Sequence, residues 1–321
     1  MGYRIGSFNM RNIGMSALGS DNARNLEKIA EIIRREEFDV VALQEVLSEG
    51  KALYSKGYAK TSILMELGPD WDFSWADAQT AGADRRHEGY AFVWNKNRLR
   101  LSSTKLDNGT ERTFYPRICK IKHGDMFRKP YYARFTPMNT RNSHPVEIRL
   151  LCIHTYYGEK DNSLDREIRL RELDTLLTQI YPQISDRVYK DDVPSYTIVL
   201  GDYNAELYST WHDKLARKKK PLYIDEVVVA DKWDNMAIRT NQYELTTLKG
   251  SDTDEEGDES KMKRYSHNYD HFSYEDSPRL NEVILDCRRV DAIRKYEGDD
   301  AEKYKKEISD HLPVMLSMEL G

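Results

Sequence analysis

An α/β fold in which sheets pack on sheets and helices cover the outside is what this sequence predicts. Three observations carry that expectation. Short runs rich in β-branched and aromatic residues recur along the whole 321-residue chain. Two longer runs between them have the spacing of amphipathic helices. No linker and no internal repeat interrupts the pattern, so residues 1–321 read as one domain.

The strand-like runs are YRIGSFN (3–9), DVVALQ (39–44), YAFVWN (90–95), YYARF (131–135), VEIRLLCIHT (146–155), TIVLGD (197–202), YSHNYDHFSY (265–274) and LPVMLSMEL (312–320). The first helical run, residues 22–36, puts Leu26, Ile29, Ala30 and Ile33 on one face. The second, residues 163–180, does the same with Leu170, Leu173, Leu177 and Ile180, and Ser163 stands where a cap belongs. Two charge runs read as loops. ARKKKP (216–221) is expected to be solvated. SDTDEEGDES (251–260) imitates a calcium loop through Asp252, Asp254, Glu256 and Gly257, but the twelfth position is Lys263 where a bidentate Glu is required, so residues 250–262 are expected to form a flexible acidic loop.

Hydrophobic residues make up 39 % of the chain, enough for one large core or two small ones, and the net charge of −5 gives no global attraction to nucleic acid. A local basic groove stays open. Three cysteines, Cys119, Cys152 and Cys287, are odd in number, and Cys152 lies in an apolar run; this argues against a disulfide framework and for a reducing compartment. With no leader-like N-terminus and no apolar stretch near the ~18 residues of a membrane span, the expectation is a soluble, cytoplasmic monomer.

Polar residues recur where apolar runs end. In IVLGDYNAE (198–206), Asp202 and Asn204 are two apart and would share a face at the end of a strand. Asn9 ends the first strand, Gln44 and Glu45 the second, and His154 ends LCIHT; Asp270 lies in HNYDHF, and Asp310 and His311 precede the last strand. Singly these read as a turn cap, a core histidine or a turn residue. Together they form a chemistry. Asn9, Glu45 and Asp310 offer hard oxygen ligands suited to Mg²⁺ or Mn²⁺, with Ca²⁺ a further candidate. Asp202, His154 and His311 offer acid, base and hydrogen-bond donors for attack of water on phosphorus. The chain has no Walker loop and no Ser or Cys nucleophile motif, which favours direct hydrolysis.

The ordered set SFNMRNIG, LQEV, HEGYAFVW, FRKP, IHTYYG, GDYNA, NYDHF and SDHLPV resembles the endonuclease/exonuclease/phosphatase superfamily from residue 7 to 314, and its deoxyribonuclease I-like branch most closely. The branch's Phe-Asn-x-Arg and Gly is matched by Phe8, Asn9, Arg11 and Gly14, its Arg-x-Pro by Arg128 and Pro130, and its Gly-Asp-aromatic-Asn-Ala by Gly201 to Ala205. The resemblance implies a four-layered α/β sandwich, two packed mixed sheets flanked by helices, and metal-dependent phosphoester hydrolysis. It implies Glu45 as principal metal ligand with Asn9 and Asp310 beside it, and Asp202, oriented by Asn204, as the residue that activates water. Glu88 would hold His154, Asp270 would hold His311, and Arg128 would contact phosphate.

The branch also implies a substrate: DNA before RNA. Arg11, Arg85, Arg86, Arg128, Lys129 and Arg217 to Lys220 are the candidate basic groove, and Tyr156 and Tyr157 are available for sugar or base contact. Leu47 and Arg86 stand where deoxyribonuclease I presents an arginine and a tyrosine to the minor groove, and Glu206 and His267 where secreted members have a disulfide. The rivals are a phosphatase or a lipid or inositol phosphoesterase of the same fold, and a non-catalytic interaction protein.

Overall fold

The recurring β-rich runs assemble into two mixed sheets. The structure, a computed structural model, describes residues 2–14, 23–54, 61–78, 88–120, 126–138, 145–158, 162–188, 193–205, 236–239, 245–248 and 264–320. Its strands are β1 Gly2–Ile13, β2 Val40–Val46, β3 Trp71–Asp77, β4 Gly89–Asn95, β5 Leu99–Leu101, β6 Ser103–Lys105, β7 Glu111–Thr113, β8 Arg117–Ile118, β9 Tyr131–Pro137, β10 Glu147–His154, β11 Ser195–Asp202, β12 Met236–Arg239, β13 Asp270–Glu275, β14 Ile284–Arg289 and β15 Val314–Glu319. The first sheet runs β14-β15-β1-β2-β4-β3 and the second β12-β13-β11-β10-β9-β5, with β8 also on β9; β6 and β7 pair with each other.

Each sheet holds one parallel pair near its middle, β1 with β2 and β10 with β11. Antiparallel neighbours flank both pairs. Side chains of the two inner faces fill the space between the sheets: Tyr3, Ile5, Val40 and Phe92 from one meet Tyr131, Phe135, Leu150, Cys152, Ile198, Leu200 and Phe272 from the other. Outside the first sheet, Ile29 and Ile33 of the helix Leu26–Arg35 pack with Phe8, Leu43 and Val93. Outside the second, Leu173 and Leu177 pack with Leu151, Ile153 and Val199. Helix, sheet, sheet, helix are the four layers expected. The three cysteines are free. No described helix is long and apolar enough to cross a membrane.

Local departures from expectation have physical causes. The helix over 163–180 is capped by Asn162, not Ser163: the Asn162 side chain accepts from the backbone of Asp165, whose side chain returns the bond, a complete capping box. α-Helix covers only Ser163–Thr175; a π-helical stretch, Leu176–Ile180, follows, then a short helix Tyr181–Ser185 that contains Pro182. A proline cannot donate its backbone bond and crowds the preceding turn, which the wider turn relieves. The run 265–274 becomes strand only at Asp270, because the residues before it pair with Thr246 to Leu248 instead. β3 and β14 were not expected; both are edge strands, half-exposed and without clean alternation.

One glycine is obligatory for the register of the second sheet. Gly201 has φ 147°, and a Cβ there would lie 2.0 Å from the Ile153 carbonyl oxygen. The close approach keeps Ile153 opposite Gly201 and therefore His154 opposite Asp202. The acidic loop 250–262, Arg85, Arg86, Glu206 and Arg217 to Lys220 lie outside the described residues.

Candidate active site

The carboxyl ends of the two parallel pairs meet at one edge of the sandwich, and each delivers a polar side chain there. From β1 comes Asn9, wholly buried, whose amide nitrogen donates to Glu45 Oε1 and to Asp202 Oδ2, both at 2.9 Å. From β2 comes Glu45. Its neighbour Gln44 points between the sheets, with its amide 3.2 Å from Ser7 Oγ and 3.1 Å from Cys152 Sγ. A register shift between Leu43 and Val46, with Glu45 at φ 55°, then re-aims Glu45 to the edge. A left-handed non-glycine residue is strained by roughly 1–2 kcal/mol, which the paired strands around it sustain.

Asp202 is the centre of the arrangement. Its Oδ1 accepts from the Asn204 backbone N–H at 2.8 Å and its Oδ2 from Asn9. Asn204 lies beyond the strand at φ 47°, not on a shared strand face as the spacing suggested, and its side chain donates to the Thr155 carbonyl at 2.9 Å. The Asn therefore orients Asp202 through its backbone. Asp202 Oδ2 is 3.7 Å from His154 Nε2 and 3.7 Å from His311 Nε2.

Both histidines are held from behind. His154 Nδ1 meets Glu88 Oε1, and Glu88 Oε2 accepts from Arg128 Nε at 2.8 Å. His311 Nδ1 lies 2.9 Å from Asp270 Oδ2. Each Nε2 thus faces the common space beside Asp202. Burial and Arg128 oppose the charge on His154, but Glu88 and Asp202 prevail and its pKa is raised. For His311 burial also opposes, yet Asp270 and Asp202 lift its pKa well above the ordinary value, and no arginine is among the leading influences. Burial pushes Glu88 up, and His154 with Arg128 bring it below the usual carboxylate range.

The remaining expected residues divide. Arg11 joins the site through its side chain, 3.1 Å from Asp310 Oδ2, while its backbone N–H donates to Asn9 Oδ1 at 2.9 Å. Arg128 also donates to the Thr155 carbonyl at 3.2 Å. Tyr156 stacks edge-to-face on Phe127, with centroids 5.0 Å apart. Leu47 is buried. Arg86 lies outside the described residues.

Support comes from residues that the sequence reading passed over. Glu172, fully buried on the helix Ser163–Thr175, accepts from the backbone N–H groups of Phe127 and, at 2.6 Å, of Tyr156. It so ties the residue before Arg128 to the segment after His154. Ser309 donates to the Asn9 carbonyl at 2.7 Å and accepts from the His311 N–H at 3.1 Å. Thr246 Oγ1 accepts from the backbone of Tyr269 and Asp270. The Ser-Asp-His spacing was a signal for Ser309; nothing local marks Glu172, whose partners are backbone groups from two distant segments.

The donor set fits a hard divalent cation. Glu45 is pushed up by burial, and by Glu88 nearby, against the pull of His154 and Asn9. Glu45 Oε2 and Asp310 Oδ1 have no hydrogen-bond partner among the described residues. Two carboxylates with unengaged oxygens are what Mg²⁺ or Mn²⁺ takes. A second group, Asp202, Asp270 and His311, has one ligand atom from each residue within 4.8 Å of the others; the His311–Asp270 hydrogen bond accounts for part of that closeness.

Residues 6–252 match the sequence profile of the Endonuclease/Exonuclease/phosphatase family. No curated protein matches the chain. Solved structures match along its length at low identity. TDP2 of D. rerio, complexed with single strand DNA product, is 13 % identical with TM-score 0.54, covering 99 % of this chain and 99 % of its own. The human Nocturnin catalytic domain with bound sulfate is 13 % identical with TM-score 0.53, covering 100 % and 94 %. ANGEL2, described as a 2',3'-cyclic phosphatase, is 13 % identical with TM-score 0.56, covering 99 % and 95 %. At such identities the likeness is one of fold, and the fold is the two-sheet, four-layer sandwich described above.

Proposed function

We infer that this chain, which belongs to the endonuclease/exonuclease/phosphatase family, is a divalent-metal-dependent phosphodiesterase that cuts DNA internally by direct attack of water on phosphorus. The family hydrolyses phosphoesters; the substrate and the mode of cutting are our reading. The observation that carries it is Asp202 Oδ2, 3.7 Å from the Nε2 of both His154 and His311. Each histidine has its other nitrogen on a carboxylate.

Asp202, with one oxygen on the Asn204 N–H and the other on Asn9, has no freedom to turn, and it accepts the proton of the attacking water. His311, the more strongly proton-retaining histidine, donates to the leaving oxygen. His154 places its Nε2 against the phosphoryl oxygens that gain charge, and Arg128, fixed by Glu88, adds its guanidinium to the same side. Glu45 and Asp310, with Asn9 beside them, would hold the cation, which when bound neutralises charge on the phosphate. Arg11, paired with Asp310 at that corner, is assigned to the DNA backbone. Tyr156 is assigned to substrate only as part of the loop that Glu172 holds. Support for a nucleic-acid substrate comes from the TDP2 structure, which holds a single-strand DNA product.

The test is conversion of supercoiled plasmid to nicked and linear forms with Mg²⁺ or Mn²⁺, against chelator and Asp202→Ala. Metal-dependent nicking by the wild type, absent in the variant, is the expected result. A wild type inert on plasmid under both metals overturns the DNA-endonuclease reading; turnover of a phosphomonoester, inositol phosphate or phospholipid would then identify the substrate class.

A further inference from the structure

Away from the strand ends, a hollow of about 680 Å³ opens on the outer side of β9, lined among others by Arg112, Tyr115, Arg117, Tyr132 and Arg134. The β6–β7 hairpin and the turn after it form one wall, and β8 and β9 form the floor. Two of its arginines are uncommitted. Arg112 and Arg117 are exposed and form no ion pair among the described residues. The third, Arg134, is buried against Glu147 and carries Phe114 over its guanidinium, 4.0 Å from the ring centroid. Tyr115, at the rim, is 73 % exposed. The acid in the lining, Glu111, takes the Ser103 hydroxyl.

In a chain of net charge −5, Arg112 and Arg117 against the single lining acid Glu111, with Arg134 matched by Glu147, leave this concavity a net positive excess beside an exposed tyrosine, a local reversal of sign. Tyr115 adds a flat, amphipathic ring open to solvent at the rim. Guanidinium forks for phosphate oxygens, together with a flat ring for a base, are the elements that bind single-stranded nucleic acid without sequence preference.

The hollow is also on a path to the candidate site. Arg117 lies opposite Tyr132 across β8 and β9. Tyr132 is four residues from Arg128, at most roughly 14 Å of chain. The separation is one that a single strand held at Arg128 can span in a few nucleotides.

We propose that this hollow is an exosite for a single-stranded flank of the substrate, with Arg112 and Arg117 on two phosphates and Tyr115 stacked on a base. The proposal rests on the nucleic-acid reading above, and the experiment separates the two. Binding of a fluorescein-labelled dT12 is followed by anisotropy in chelator at several salt concentrations, for wild type, the double variant Arg112→Gln/Arg117→Gln and Tyr115→Ala. In parallel, hydrolysis of bis-p-nitrophenyl phosphate with Mn²⁺ is measured, a diester too small to reach the hollow.

The wild type is expected to bind, and the double variant to lower the slope of log K against log salt by about 1.4, two phosphates at roughly 0.7 each. Tyr115→Ala should weaken binding about tenfold, the effect of one lost stack. Small-diester hydrolysis should be unchanged in every variant. A wild type that does not bind dT12, or variants that bind it with wild-type affinity and salt slope, overturns the exosite. Loss of small-diester turnover in the wild type, with the binding differences intact, overturns the catalytic reading and leaves the exosite standing.

Discussion

The two histidine pairs look alike in outline and differ in what stands behind them. His154 leans on Glu88, and Glu88 is shared with Arg128 at 2.8 Å. His311 leans on Asp270, which lies 2.9 Å away, is fully buried and has no arginine on it among the described residues. Arg128 therefore opposes the proton on His154, while on His311 the leading influence against the proton is burial alone. Both pairs cross between the sheets. Glu88 and His311 precede strands of the first sheet, and His154 and Asp270 belong to the second. The lesson is that an arginine beside one imidazole and an extra carboxylate, Asp310, beside the other make a near-symmetric pair unequal, and inequality is what acid and electrostatic roles require.

Breaking the centre that both pairs face has the largest expected effect. Asp202→Asn keeps the shape but removes the acceptor charge from both Nε2 atoms, and kcat/KM should fall by about 10³-fold or more, read by initial rates on plasmid. Retention of more than a tenth of the rate would show that Asp202 is not the proton acceptor.

Removing the support of one pair comes next. Asp270→Asn takes away the first of the raising influences on His311, so its pKa falls. An acid works only while protonated; the alkaline limb of the pH–rate profile should therefore move to lower pH, with about 10²-fold loss in rate on the alkaline side. An unmoved limb would separate His311 from the acid role. Equalising the pairs should matter least. Arg128→Gln relieves the repulsion on His154, whose pKa should rise further, and removes a contact to the charge that develops on the phosphoryl oxygens, with about 10- to 100-fold loss in kcat/KM, mostly in kcat. A loss confined to KM would contradict the transition-state role.

What the sequence made legible was the set of polar residues at strand ends. Asn9, Glu45, His154 and Asp202 stand out because each closes an apolar run, and β1, β2, β10 and β11 do converge. Long buried strands and the Leu26–Arg35 helix were legible for the same reason, a strong periodic burial. Three kinds of information were not. The bulge at Glu45 is a backbone decision made by packing, not by residue type, and Asn204 is a residue type that tolerates the left-handed region without announcing it. Edge strands β3 and β14 bury too little to show a period. Glu172 reads as one more charge on an Arg- and Glu-rich helix, and only the folded chain brings the Phe127 and Tyr156 amides to it.

The inequality of the two pairs is tested most directly by nitrogen-detected NMR titration of the histidine rings in the metal-free protein, assigned with His154→Gln and His311→Gln. The account predicts that both rings titrate above free histidine and that His311 holds its proton to distinctly higher pH than His154. His154 titrating at or above His311 would contradict it.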